Sequence, residues 1–330
     1  MNGLYLTVDG GGSKITAILF DASLHELGRG YSGGVNSTQN DAASILTHVQ
    51  ECLDQALSPC HPEDIIEEAF VVFVGSKPLF EQELRRRISV KKITFFPEAK
   101  AGLIAGSGKY EGLLAISGTG SDAFYMKDGC NGIVGGWGIV LGDQGSGTWI
   151  GLKALRMAVR LLDGWGPASF PEELPLFVRI ILQHFDAEDN PRKMVTAVHS
   201  APAPFPVIAR LVPVIAEAAR EGDPFALGLF QDAGSVLARQ MLSLIERKHL
   251  QETEITLCGG AWKAHAAMFQ SFQDTIKATR PAIEVHYPWF EHVMAGPMEL
   301  MLRSGLAPEE ARKKVAEAFP SEQYAEPVMN

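Results

Sequence analysis

The chain has 330 residues, 46% of them hydrophobic and 21% charged, an average soluble composition with enough apolar side chains for one large core or two ordinary ones. A formal charge of −10, with no basic block longer than Arg85-Arg86-Arg87, argues against a nucleic-acid or anionic-membrane partner, since both select basic surfaces. The four cysteines are scattered without a CxxC, which argues against a Cys/His zinc site or a cysteine-ligated cluster and fits a reducing, cytoplasmic setting. The start "MNGLYLTVDG" has no secretory pattern, and the longest apolar run, Ala69–Val74, is too short for a bilayer.

In chain order, Leu4–Val8 and Ile15–Phe20 read as strands joined by the glycine turn "DGGGSK". Ala42–Leu57 has helical apolar spacing, Ala69–Val74 reads as a buried strand, and Phe80–Ile88 as a helix. Ile93–Phe96 is a strand that Pro97 ends, and Ala99–Gly106 a short helix. Leu113–Ile116, "SGTGSD" and Ala123–Met126 then repeat the opening hairpin. An offset of 108 positions aligns Leu6 with Leu114, Gly10 with Gly118, Gly12 with Gly120 and Ser13 with Ser121 without a gap, and Gly28, Gly30 and Gly34 with Gly136, Gly138 and Gly142. This predicts a duplicated β-rich unit within an α/β fold.

"GGWGIVLGDQGSGTWIG" (Gly135–Gly151) combines a permissive backbone with Trp137 and Trp149, a pattern without use in a disordered linker. Helices are predicted at Leu152–Leu162, Pro175–Phe185, Val207–Arg220 and Pro224–Lys248, with "SAPAPFP" (Ser200–Pro206) as a rigid loop. Asp163–Pro206 says nothing beyond its helical pattern. Ile255–Leu257 returns as a strand before "CGGAWKAH", and the C-terminus is helical.

Paired Gly/Ser/Thr turns can aim backbone amides at one anion from opposite sides, forming phosphate nests without arginine. Asp9, just before the first turn, suits a Mg²⁺ ion held directly or through water. The plain alternative is two tight hairpin turns with no ligand. Neither a Walker A loop nor a helix-opening GxGxxG is present.

"DGGGSK", "ISGTGSDAF", "GGWGIVLGDQGSGTWIG", "IAEAAREGDPFA" and "CGGAWKAH" together resemble the N-acetylglucosamine kinase family over about residues 4 to 305. That family belongs to the superfamily of actin, hexokinase and acetate kinase, alongside the ATPases that activate acyl-CoA dehydratases. The resemblance implies two ribonuclease H-like, actin-like ATPase domains, 1–110 and 111–330, with ATP and a sugar in the interdomain cleft and the last helix packing back on the first domain. It implies an ATP site on Gly10, Gly11, Gly12, Ser13 and Lys14, on Gly118, Thr119, Gly120 and Ser121, and on Gly259, Gly260 and Ala264. Asn36, Gly136, Trp137, Gly138 and Asp143 match sugar-binding positions, while Trp149 is expected to be structural. A homodimer is implied as well.

Three positions depart from the family. Its catalytic aspartate, after a strand and before a short helix, is replaced by Glu98 in "FFPEAKAG". Gln144 stands where glutamate is common, and "FVGSKP" lacks the usual aspartate after its glycine. The expected activity is ATP-dependent phosphorylation of an amino sugar, N-acetylglucosamine first, at its 6-hydroxyl. Glu98, and after it Asp143, is the expected general base. A sugar-binding regulator that has lost catalysis is one alternative. An ATPase that activates a partner enzyme is the other, and the missing cysteine cluster counts against it.

Overall fold

The computed structural model describes residues 3–165 and 173–327. The chain divides into two compact units. One takes Met1–Leu114, Met126–Cys130 and Tyr287–Tyr324, and the other Ala115–Tyr125, Asn131–His286 and Ala325–Asn330.

In the first unit, β1 (Leu4–Gly10) and β2 (Lys14–Asp21) form the expected hairpin, antiparallel from Leu4↔Asp21 to Gly10↔Ile15. β3 (Glu26–Gly33) pairs antiparallel with β2, whereas β4 (Ile65–Phe73) and β5 (Ser89–Phe96) add in parallel, giving the order β3-β2-β1-β4-β5. Ile15–Phe20 are all buried, as suits a central strand covered on both faces. One face packs Leu6, Val8 and Leu19 against α1 (Ala42–Ala56) and α2 (Lys77–Arg87) through Val49, Leu53, Phe80 and Leu84. The other packs Ile18, Phe20 and Phe70 against α3 (Glu98–Ser107) and the last two helices, Ala295–Arg303 and Pro308–Ala318. Asp41 caps α1 by accepting from the Ser44 amide at 2.9 Å, and Gly108 at φ +64° ends α3 in the left-handed region.

Sequence reasoning missed β3, whose "ELGRGYSG" carries three glycines. Two of them are required by close approach, because a Cβ at Gly28 or Gly30 would run into the α1 carbonyls of Ala56 and Cys52. The same glycines that disguise the strand let the helix lie on it.

The second sheet repeats the plan. Its strands are β6 (Gly112–Ser117), β7 (Ser121–Lys127), β8 (Cys130–Gly135), β9 (Glu254–Cys258) and β10 (Glu284–His286), in the order β10-β9-β6-β7-β8. Read from the other edge, this is the order of the first sheet, so the duplication seen in the glycine pattern extends to topology.

Helices fill the rest of the second unit: α4 (Gly138–Leu141), α5 (Gly147–Leu162), α6 (Leu176–His184), α7 (Lys193–His199), α8 (Pro204–Ala209), α9 (Leu211–Arg220), α10 (Pro224–Lys248) and α11 (Ala266–Thr279). Two expectations are corrected here. "SAPAPFP" is not loop throughout, since Pro204 opens α8, where a proline's missing amide costs nothing. The helix expected over Val207–Arg220 is broken at Arg210, because Pro213 has no N–H for the Ala209 carbonyl and its ring crowds that oxygen. Residues 166–172, part of the uninformative 163–206 stretch, lie outside the described residues. Among the described residues, no helix is long and apolar enough to cross a membrane.

Candidate functional site

Because β1, β4 and β5 are parallel, their carboxyl ends share one edge of the first sheet, the edge where open α/β sheets bind ligands. Asp9 sits near the end of β1, and Glu98 follows Pro97 as the first residue of α3. His292, from the segment preceding the Ala295–Arg303 helix, lies between them. Its Nε2 donates to the Glu98 carbonyl at 3.1 Å, and its Nδ1 is 3.6 Å from Asp9 Oδ1.

Burial alone would lower the His292 pKa. The hydrogen bond and charge of Asp9, followed by the Glu98 charge, instead raise it to about 9. The carboxylate of Asp9 and the charge of Glu98 thus favour the protonated ring. Burial pushes the Glu98 carboxyl above the usual range, the His292 charge opposes that shift, and Asp9 adds to it.

The first glycine turn is tied to the Asn36 segment. The Gly11 amide donates to the Lys14 carbonyl at 2.9 Å, and the Val35 amide donates to Gly11 at 2.9 Å. A Cβ on Gly34 would strike the Gly12 carbonyl, so only glycine lets these two backbones touch. The amides of Gly12 and Ser13 have no acceptor among the described residues, as a phosphate nest requires. Asn36 Oδ1 accepts from the Thr38 amide at 2.9 Å and from Thr38 Oγ1 at 2.8 Å, which leaves Nδ2 to donate to a ligand. Lys14 is exposed beside Asp9 on the wall of a cavity of about 280 Å³.

In the second unit, the turn Gly118–Ser121 spends its carbonyls on its own scaffold. Gly118 accepts from the Gly147 amide at 2.8 Å, and Thr119 accepts from Thr148 Oγ1 at 2.7 Å. The amides of Thr119 and Gly120 have no acceptor among the described residues. Each turn therefore has two such amides, the second pair one position earlier than the 108-residue offset would place it.

Asp143 joins that turn to the glycine-rich loop. Its Oδ1 accepts from the Gly138 amide at 3.0 Å, and a Cβ on Gly120 would come within 2.8 Å of its Oδ2. Burial pushes its pKa up, against the amides of Gly138 and Ser121 that favour the carboxylate. Its φ of +53° is left-handed, a conformation that aspartate and asparagine adopt more readily than most residues. Sequence reasoning placed Asp143 at the sugar and as the second candidate for the general base; its carboxylate also lies against the Gly118–Ser121 turn. Replacing it by asparagine, which tolerates this backbone, is expected to raise the sugar KM roughly 10-fold and the ATP KM by a smaller factor. Steady-state titration of each substrate checks this, and an unchanged sugar KM would remove Asp143 from that site.

Gly136 and Gly138 have φ values of +68° and +75°, and they hold Trp137 out with 73% of its surface exposed. Trp149 lies on α5 with Lys153 Nζ 4.1 Å above its ring, a structural placement. Gln144 is exposed, and its side-chain oxygen is 3.5 Å from Gln240 Nε2.

Gly259, at φ +101°, lies against the Ser117 carbonyl, so the Gly259-Gly260 pair abuts the second turn. A short 3-10 turn over Gly260–Lys263 leads to Ala264, whose carbonyl accepts from Arg220 at 2.8 Å. His292 carried no signal in the sequence, and Arg220, although it lies within "IAEAAREGDPFA", gave no sign of its contact, since each reaches the main chain of a residue far along the chain.

The family model described as the BadF/BadG/BcrA/BcrD ATPase family matches residues 6–290. The chain is 26% identical over 293 residues to the N-acetylmuramic acid/N-acetylglucosamine kinase of Clostridium acetobutylicum, covering 84% of this chain and 92% of that one. It is 25% identical over 269 residues to the N-acetyl-D-glucosamine kinase of Dictyostelium discoideum, covering 76% and 82%. Among solved structures, a ROK family glucokinase from Streptomyces griseus, in complex with glucose and AMPPNP, superposes with a TM-score of 0.57 at 15% identity over 94% of this chain and all of that one, a likeness of fold. With a family match spanning most of its length, the chain belongs to the BadF/BadG/BcrA/BcrD ATPase family.

Proposed function

We propose that this protein transfers the γ-phosphoryl group of ATP to a hydroxyl of an amino sugar, N-acetylglucosamine first, at its 6-hydroxyl. The observation that carries the reading is the carboxyl edge of the first sheet. There Glu98, its pKa raised, stands with Asp9 beside a turn whose amides are free. The names of the Clostridium and Dictyostelium relatives support the same substrate class.

In this reading Glu98 accepts the proton of the attacking hydroxyl, or orients that hydroxyl, as the oxygen adds to phosphorus. The free amides of Gly12 and Ser13 bind phosphate oxygens and stabilise their charge, and the turn with free amides at Thr119 and Gly120 is a phosphate-binding turn of the second unit. In the first unit Asn36 Nδ2 is the sugar donor, and in the second the Trp137 loop is the sugar-binding element. Mg²⁺ fits Asp9, whose Oδ2 has no partner among the described residues, and bound there it would neutralise phosphate charge. A homodimer in the cytoplasm, with domains dividing near residue 110, completes the proposal.

The test is a coupled ADP-release assay with and without Mg²⁺ against hexoses, glucosamine, N-acetylglucosamine and N-acetylmuramic acid. Mg²⁺-dependent turnover with N-acetylglucosamine and a 6-phosphate product is the expected result. ADP release indifferent to sugar would favour a partner-activating ATPase, and sugar binding without ADP release a regulator.

A further inference from the structure

We infer that His292 is a positioning residue that locks Glu98 to Asp9 for phosphoryl transfer, an inference that rests on the function proposed above. The imidazole bridges the end of β1 and the start of α3. Nε2 donates to the main-chain carbonyl of Glu98 at 3.1 Å, fixing the first residue of α3, and Nδ1 faces Asp9 Oδ1 at 3.6 Å.

The segment bearing the ring is itself held on both sides. The Trp289 amide donates to the Gly106 carbonyl near the far end of α3 at 3.0 Å, and Thr7 Oγ1 on β1 donates to the Val293 carbonyl at 2.6 Å. The Glu291 amide donates to the Glu322 carbonyl at 2.9 Å, which ties the same segment to the end of the first unit. A ring pinned on its own backbone, held on the Glu98 carbonyl and packed beside Asp9, sets the separation of the two carboxylates. It touches no substrate itself. Misplacing a reacting group by about 1 Å costs about 100-fold in rate, so a device that fixes this separation has kinetic consequences out of proportion to its contacts.

The experiment compares wild type with His292→Ala, His292→Gln and His292→Asn in the full chain. It measures kcat and KM with N-acetylglucosamine, ATP and sugar affinities by calorimetry, and Tm. His292→Ala is expected to lower kcat by about 10- to 100-fold while both affinities stay within about 3-fold. His292→Gln places an amide donor where Nε2 stood and is expected to recover most of the loss. His292→Asn, too short to reach the Glu98 carbonyl, is expected to recover little. Should His292→Ala fail to fold, the ranking of glutamine above asparagine in kcat at equal Tm carries the inference.

A kcat within about 2-fold of wild type in the alanine variant overturns it. So does a fall of kcat, both affinities and Tm together, which marks a structural histidine, and so does a glutamine variant no better than asparagine. A wild type with no turnover on any amino sugar overturns the proposed function and this inference with it, whereas an active wild type with indifferent variants overturns the inference alone.

Discussion

Glu98→Gln lowers kcat by about 100- to 10,000-fold, with little change in ATP affinity, if Glu98 is the group that takes or orients the hydroxyl proton. Two features of the structure support the size of this effect. Pro97 ends β5 and α3 begins at Glu98, so the carboxylate is placed by two rigid elements. Burial, with the nearby Asp9 charge, pushes its pKa up, toward the range in which a carboxylate is a stronger base. The charge of His292 opposes part of that shift. Glutamine is nearly isosteric and preserves the hydrogen bond between His292 and the main-chain carbonyl, so the loss reads the charge alone.

Glu98→Asp asks a different question. If the glutamate stretches a role that aspartate fills in related kinases, shortening it keeps or improves turnover of N-acetylglucosamine. If the pocket has been reshaped for another sugar, the same change damages turnover of that sugar. Wild-type kcat in Glu98→Gln would move the assignment to Asp143.

How much of this could be read beforehand depends on whether the determining contact is local. The β1–β2 hairpin, Glu98 after a strand-ending proline, and the repeat at an offset of 108 positions are local patterns, and the structure shows the same strand order in both sheets. β3 was illegible because Gly28 and Gly30 answer to α1, which comes later in the chain. The break before α9 was legible in principle, since Pro213 removes the Ala209 partner, but an apolar helical period hid it. His292 is 194 residues from Glu98 and contacts its carbonyl, a group that every residue carries, so no side-chain pattern announces the pairing. Asp143 was visible as a residue, but its sharing between two loops depends on a left-handed backbone that no single sequence discloses.

The glycine turns allow a test that separates ligand binding from folding. A Cβ on Gly118 meets no heavy atom within 4 Å, and one on Gly11 meets only the Lys14 carbonyl at 3.8 Å, an ordinary contact. Neither residue has a positive φ, so neither backbone requires glycine. If these turns were mere hairpin corners, Gly11→Val and Gly118→Val would be nearly silent. Both turns, however, leave neighbouring amides without protein acceptors, at Gly12 and Ser13 and at Thr119 and Gly120. An isopropyl group in that open space stands where phosphate oxygens would meet those amides. Hydrogen bonds to a charged group are worth about 1.5–3 kcal/mol each, so ATP affinity is expected to fall by about 10- to 100-fold in either variant. Tm should stay within a few degrees of wild type, because the added Cβ meets no close neighbour. Gly34→Ala serves as the contrast, since its Cβ strikes the Gly12 carbonyl and should cost stability and ATP binding together. Calorimetric titration of ATP alongside thermal unfolding reads both effects at once, and unchanged affinity in both valine variants would show that these turns hold no phosphate.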